Sequence, residues 1–235
     1  MVGADLPGQG ADVVVDCTDS AAVEASVGEI RPDAVVHLAG NPGESSLPEA
    51  LTSHAVSTAA LLEAMVHHGV RRIVYASSNH AVGRTPRTAL LSTDVRGRPD
   101  TFYGVGKVAA EALLQLYADR YGIDVVATRI GSCLPRPTTR RQLSTWLSHD
   151  DCVRMFHAAL TAPSPGYAVI HGISANTRGW WDLGPGRALG YDPEDDAEEY
   201  ADDVEVAPPS PEDDAEAARV GGPFAGSRYE RPAFD

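Results

Sequence analysis

The chain has 235 residues, 43% hydrophobic and 22% charged, which describes one folded domain, or one with a small appendage, and excludes a disordered chain. No stretch approaches the roughly 18 consecutive apolar residues of a membrane span, and residues 1–10 carry neither the basic nor the apolar part of a secretion signal, so a cytoplasmic protein is expected. Much of the net charge of −14 sits in residues 192–216, where 13 acidic residues face no Lys or Arg; the other 20 acidic and 19 basic residues nearly cancel, which argues against a nucleic-acid partner.

In chain order, short β-branched runs alternate with helical patterns, as in a parallel sheet covered by helices. Strands are expected at 11–16, 33–39, 72–77, 124–130 and 167–173, and helices at 20–30, 47–68, 101–121 and 149–160. Thr18, Asp19 or Ser20 offers an N-cap for the first helix, and Gly69 and Gly122 stand where left-handed C-caps are wanted. The acidic stretch, with Pro208, Pro209 and Pro211 inside it, is expected as a solvated, partly disordered segment. Cys17, Cys133 and Cys152 are odd in number and far apart in sequence, so they are expected as buried thiols, with no disulfide framework and no metal site.

In a doubly wound sheet, ligands bind beyond the carboxyl ends of the strands. There the sequence places Ser77, Ser78, Asn79 and His80, and the next helix opens with Tyr103 and Lys107, four residues apart and one turn from each other on one face. Of the 19 basic residues, Lys107 alone is lysine. A compact ammonium beside a phenol, with a strand-end hydroxyl nearby, is what a proton-abstracting tyrosine needs. Bringing a phenol from its reference pKa near 10 to about 7 takes roughly 4 kcal/mol of preferential phenolate stabilisation.

These residues, with the runs 37–40 (His-Leu-Ala-Gly) and 129–133 (Arg-Ile-Gly-Ser-Cys), resemble the extended short-chain dehydrogenase/reductase superfamily. The runs 77–80, 143–151, 172–176 and 180–182 narrow the likeness to uronate dehydrogenases. The resemblance implies a Rossmann-like α/β fold and NAD-dependent oxidation of a hexuronic acid, glucuronate or galacturonate, at C1 to the aldarolactone. It implies Tyr103 as general base, Lys107 lowering its pKa and holding the nicotinamide ribose, and Ser78 bonding the reacting oxygen. Asn79, His80 and Ser132 would contact sugar hydroxyls and Arg141 the carboxylate. Asp5 would bind the adenosine ribose, Asp16 and Cys17 the adenine, and the backbone of Leu38, Ala39 and Gly40 would pass beneath the cofactor. Plainer roles stay open: Asn79 and His80 can tie down a loop, Ser132 can cap a turn, Asp5 can belong to a turn, and Arg136 or Arg140 can replace Arg141. A small-molecule sugar acid and further copies of the chain are the expected partners. A nucleotide-sugar epimerase or dehydratase and a non-catalytic paralogue are the alternatives; a serine hydrolase is not, because no G-x-S-x-G surrounds Ser78.

The sequence departs from that pattern in lacking a glycine-rich phosphate loop: Gly3, Gly8 and Gly10 are wrongly spaced and precede a strand. The expectation is a chain that begins at the end of the second strand, without the first strand, first helix and most of the second strand, and with a gap of roughly 14 Å in the sheet order 3-2-1-4-5-6. Upstream coding residues or a truncated paralogue would explain it, and the chain as it stands is expected to bind NAD poorly. Pro42 stands where a substrate-contacting serine is expected, and His54 where the bracing helix usually has asparagine. The expected regions are an incomplete NAD-binding part with the catalytic helix (1–135), a substrate-side region (136–190) and an acidic tail (191–235).

Overall fold

The computed structural model describes residues 1–204 and 217–234. Its centre is a four-stranded parallel sheet of β3 (Val35–His37), β4 (Arg72–Ser78), β5 (Asp124–Ile130) and β8 (Tyr167–Gly172), in that order. Side chains alternate across the strands, so Ile73, Tyr75, Val125 and Ala127 enter one core while Val74, Val126 and Ile170 enter the other. The first core is closed by α1 (Ser20–Ile30), α3 (Ser57–His68) and α4 (Phe102–Tyr121), the second by α6 (His149–Thr161), whose Met155, Ala158 and Ala159 are buried there. Both faces are covered, which is why the strands carry near-continuous apolar runs.

Local chemistry sets the ends of these elements. Asp19 caps α1 by accepting from the amides of Ala21 and Ala22, and Gly69 and Gly122 close α3 and α4 in the left-handed conformation. The expected 47–68 helix is a run of three pieces: α2 (Leu47–Leu51), opened by a Ser46/Glu49 capping box, a π-helical turn (Thr52–Val56), and α3.

Toward the amino terminus, β1 (Ala4–Asp5) pairs in parallel with β2 (Val13–Val14) in a separate two-stranded sheet. This corrects the expected gap: Asp5 ends a strand that is present, so the order 3-2-1-4-5-6 leaves one strand position between β1 and β3 rather than two. Among the described residues no strand pairs with the outer edge of β3, and Val36 and Leu38 are exposed on and just after that strand. A further pair of two-residue strands, β6 (Ser132–Cys133) and β7 (Trp146–Leu147), with α5 (Gln142–Thr145) before β7, lies beyond the carboxyl end of β5.

Residues 191–235 are not merely a tail. Tyr191 is fully buried in the second core, and Ala197 and Ala201 pack with Leu143 and Trp146. Acidic residues of this region are paired within the fold: Glu194 and Asp195 with Arg154, Glu198 with Arg178, and Asp196 with Thr177. Counting charge alone missed that arginines elsewhere in the sequence receive them. Residues 205–216, which include the three prolines, lie outside the described residues. Residues 218–225 then run back along 83–87, with Val220 N–H donating to the Thr85 carbonyl and Gly221 N–H to that of Gly83.

Candidate active site

The carboxyl ends of β4 and β5 and the start of α4 bring the central residues together. Ser78, the last residue of β4, stands beside the Tyr103 phenol, where its hydroxyl favours the phenolate. Lys107 lies one turn further along α4, 4% exposed, with Nζ 2.7 Å from the Ala76 carbonyl and 5.5 Å from the Tyr103 ring centroid. Burial brings Lys107 down to about 8, opposed by the carboxylate of Glu111. Glu111 in turn takes both nitrogens of the Arg129 fork, at 3.1 and 2.8 Å, and the Ser77 hydroxyl, so a buried ion pair fixes the strand end behind the site.

The Tyr103 phenol does not have the lowered pKa that the Tyr-x-x-x-Lys spacing suggests. Burial holds it above its ordinary value, the Asp100 charge adds to this, and the Ser78 hydroxyl alone works in the other direction. Lys107 points its ammonium at a carbonyl, so in this state it is a buried donor more than an activator.

The start of α4 is held unusually well. Thr101 caps it through Gly104 N–H at 3.0 Å, and the Glu44 carboxylate accepts from the amides of Phe102 and Tyr103 at 2.9 and 3.0 Å. Three otherwise orphaned helix donors are thereby satisfied, by the charge sign the helix dipole favours. Glu44 was missed in the sequence because nothing in a loop residue's spacing shows that it will meet a helix start far along the chain.

His54 braces the tyrosine. Its ring meets Tyr103 edge-on at 5.1 Å between centroids and lies between Gly40 and Gly106, where a β-carbon would come within 2.5 and 2.9 Å of it. Its Nε2 donates to the Asn41 carbonyl at 3.0 Å, Nδ1 is buried without a partner, and burial with the nearby Lys107 charge lowers its pKa to about 4. The glycine at position 40 is therefore required by a histidine ring as well as by its φ of +147°.

On the substrate side, His80 Nδ1 bonds the fully buried carboxylate of Asp100 at 2.9 Å, and its ring contacts Tyr103 at 5.9 Å and Phe224 at 4.5 Å. Asn79 is buried beside it and bonds Ser78 at 3.3 Å. Ser132 Oγ lies 3.1 Å from Thr145 Oγ1, which Arg141 Nη1 approaches at 3.4 Å. Arg141 Nη2 donates to the Val220 carbonyl at 2.6 Å, and Gly222 packs against the guanidinium. Two residues on, Phe224 touches His80, so Arg141 and His80 flank one short segment spanning at most about 7 Å. Asp100 and Phe224 escaped sequence reasoning: one hid in the loop before the helix cap, the other in the expected tail.

At the opposite end, Asp5, Asp16 and Cys17 meet beyond β1 and β2, where the two carboxylates and burial push the Cys17 thiol up. The Asp16 carboxylate is exposed and already accepts from the amide and hydroxyl of Thr18, which lowers its pKa. Leu38 is exposed and leads from β3 to Gly40. The remaining cysteines differ from expectation: Cys133 is exposed on the short β6, its thiol meets that of Cys152 on α6, and this contact brings Cys133 down to about 7.

The nicotinamide-side residues fit NAD on one local observation. A lysine ammonium has three donors; one goes to Ala76, and the other two are what a ribose hydroxyl pair requires from a buried cation. The phosphate-binding glycines are not among the 235 residues.

Comparison with known proteins places this geometry. The NAD dependent epimerase/dehydratase family matches residues 8–142. The chain is 42% identical to uronate dehydrogenase of Agrobacterium fabrum over 213 residues, covering 90% of this chain and 80% of that protein. The glucuronic acid dehydrogenase of Chromohalobacter salexigens superposes with a TM-score of 0.88 at 37% identity, covering 94% of this chain and 85% of that one. An Agrobacterium tumefaciens uronate dehydrogenase mutant in complex with NAD gives 0.86 at 39% identity, covering 98% and 86%. The chain thus belongs to the NAD-dependent epimerase/dehydratase family of the short-chain dehydrogenase/reductase superfamily.

Proposed function

We propose that this protein oxidises C1 of a cyclic hexuronic acid, glucuronate or galacturonate, with NAD and releases the aldarolactone. The observation that carries the reading is the grouping of Ser78, at the end of β4, with Tyr103 and buried Lys107 one turn apart on α4, and with His80 edge-on to the Tyr103 ring. When bound, NAD supplies the hydride acceptor and a positively charged ring. With that positive charge and the Lys107 ammonium countering the burial that keeps its phenol protonated, Tyr103 takes the proton of the C1 hydroxyl, and Ser78 holds the same oxygen by a hydrogen bond. Lys107 gives its two remaining donors to the nicotinamide ribose, while Leu38, Ala39 and Gly40 form the floor and Asp5, Asp16 and Cys17 the adenosine end.

His80 is kept in one orientation by Asp100, so that its other ring nitrogen is available to a sugar hydroxyl, with Asn79 and Ser132 as further polar contacts. Arg141 offers a planar fork to the uronate carboxylate, and Phe224 supplies an apolar wall beside it. Among the described residues no helix is long and apolar enough to cross a membrane. A cytoplasmic, homo-oligomeric enzyme belongs to the same reading, consistent with three free thiols and a nicotinamide substrate.

The test is NADH formation by the purified chain at millimolar NAD with galacturonate, glucuronate and the corresponding neutral hexoses. Net NADH with the uronates, lost in Tyr103→Phe, supports the reading. Turnover of a nucleotide sugar without net NADH would replace it with an epimerase.

A further inference from the structure

We propose that Glu24, His67 and His68 form a binding site for a borderline divalent transition-metal cation, zinc(II) or one like it, which clips α1 to α3. His67 Nδ1 lies 2.6 Å and His68 Nε2 lies 2.8 Å from the same carboxylate oxygen, Oε1 of Glu24. The three donor atoms all fall within 4.8 Å of one another. Two imidazole nitrogens and one carboxylate oxygen form a donor set that zinc(II) accepts and that magnesium or calcium does not favour.

One half of the site is already built. His68 has a side chain only 25% exposed, and its ring lies over Gly28 of α1, where a β-carbon would come within 2.8 Å of it. The ring is therefore held against α1 at the level of Glu24, one helical turn away. The other half can adjust: the His67 side chain is 71% exposed. The two rings now stack, with centroids 4.8 Å apart and planes 6° from parallel. A cation lies in the plane of each ring that binds it, so His67 turns out of the stack, which its exposure allows. Three protein ligands leave a fourth tetrahedral position to water.

The site lies apart from the residues that carry the oxidation. Its consequence falls on α1, which starts three residues after Cys17 and so follows directly on the loop expected to hold the adenine. A cation bridging α1 and α3 fixes that helix to the main body, and because it favours the folded chain it raises the melting temperature, which goes on rising with the logarithm of the zinc concentration once the site is full.

The experiment is calorimetric and thermal-melt titration of the chelator-stripped full chain with zinc chloride near neutral pH. One saturable site, a rise in Tm with zinc, and a loss of at least about tenfold in affinity in Glu24→Gln and in His67→Ala support the proposal. Both substitutions lie at partly or wholly exposed side chains, so folding survives them; His68→Ala, which also removes packing on Gly28, is secondary. Cys133→Ser leaves the affinity unchanged. Absence of saturable binding up to millimolar zinc overturns the proposal, as does binding that both Glu24→Gln and His67→Ala leave intact, which assigns the zinc to the thiols.

Discussion

Acid should unfold this protein in a narrow window, for a reason located in three histidines. His37, His54 and His171 are 3%, 2% and 1% exposed. Burial, the largest cause, brings His37 to about 3 and the other two to about 4, with Lys107 adding to the effect at His37 and His54 and Arg129 at His171. All three are neutral when folded and take up protons at about 6.5 when unfolded. The unfolded state therefore binds more protons below that value, and stability falls as pH drops from about 6.5 toward 4. Each histidine contributes about 2 kcal/mol of loss at pH 5, so the three together reach at most about 6 kcal/mol, with a limiting slope of about 4 kcal/mol per pH unit. That is comparable with the whole stability of an ordinary domain. Urea denaturation followed by circular dichroism between about pH 7.5 and 5 measures it. In His171→Gln the slope should fall by about one third. Stability constant to within about 1 kcal/mol across that interval would refute the argument.

The other expectations concern the site. Tyr103→Phe should lower kcat by about 10² to 10⁴ while leaving the melting temperature in place, read from steady-state NADH formation. Arg141→Lys keeps the charge and loses the fork, so the preference for a uronate over its neutral hexose should drop about 10- to 100-fold in kcat/KM. Glu44→Ala leaves the Phe102 and Tyr103 amides uncapped and should cost roughly 2 kcal/mol of stability, measured by urea titration.

The central sheet was legible because its signals are local. The run 124–130 is apolar on both faces and begins and ends where β5 does, and Asp19, Gly69 and Gly122 cap the helices they adjoin in sequence. The edge elements were legible only in outline. Expected strands at 11–16 and 33–39 shrink to Val13–Val14 and Val35–His37, because a strand's length is fixed by the neighbours that pair with it, and β3 has a partner on one side only. The π-helical turn at 52–56 could not be read from composition: it adjusts the helix around His54, a ring wedged between two glycines from different segments.

The grouping of Ser78, Tyr103 and Lys107 was legible for the same local reason: Tyr103 and Lys107 share a helix face, and Ser78 ends the neighbouring strand. The surroundings of Arg141 and His80 were not, because they depend on chain that returns from far away. Val220, Gly222 and Phe224 reach Arg141 and His80 only because residues 218–225 pair with 83–87, and Gly221 sits against the same Asp100 carboxylate that orients His80. One segment thus touches both the arginine meant for the carboxylate and the histidine meant for the ring hydroxyls. The Val220 carbonyl and the Thr145 hydroxyl both take guanidinium donors, which holds Arg141 at a set position relative to His80. In the proposed function, selectivity for a uronate rests on the spacing between two side chains that the carboxyl-terminal segment sets, and replacing Phe224 by alanine should weaken uronate binding more than it slows the chemical step, since Tyr103 and Ser78 are anchored elsewhere.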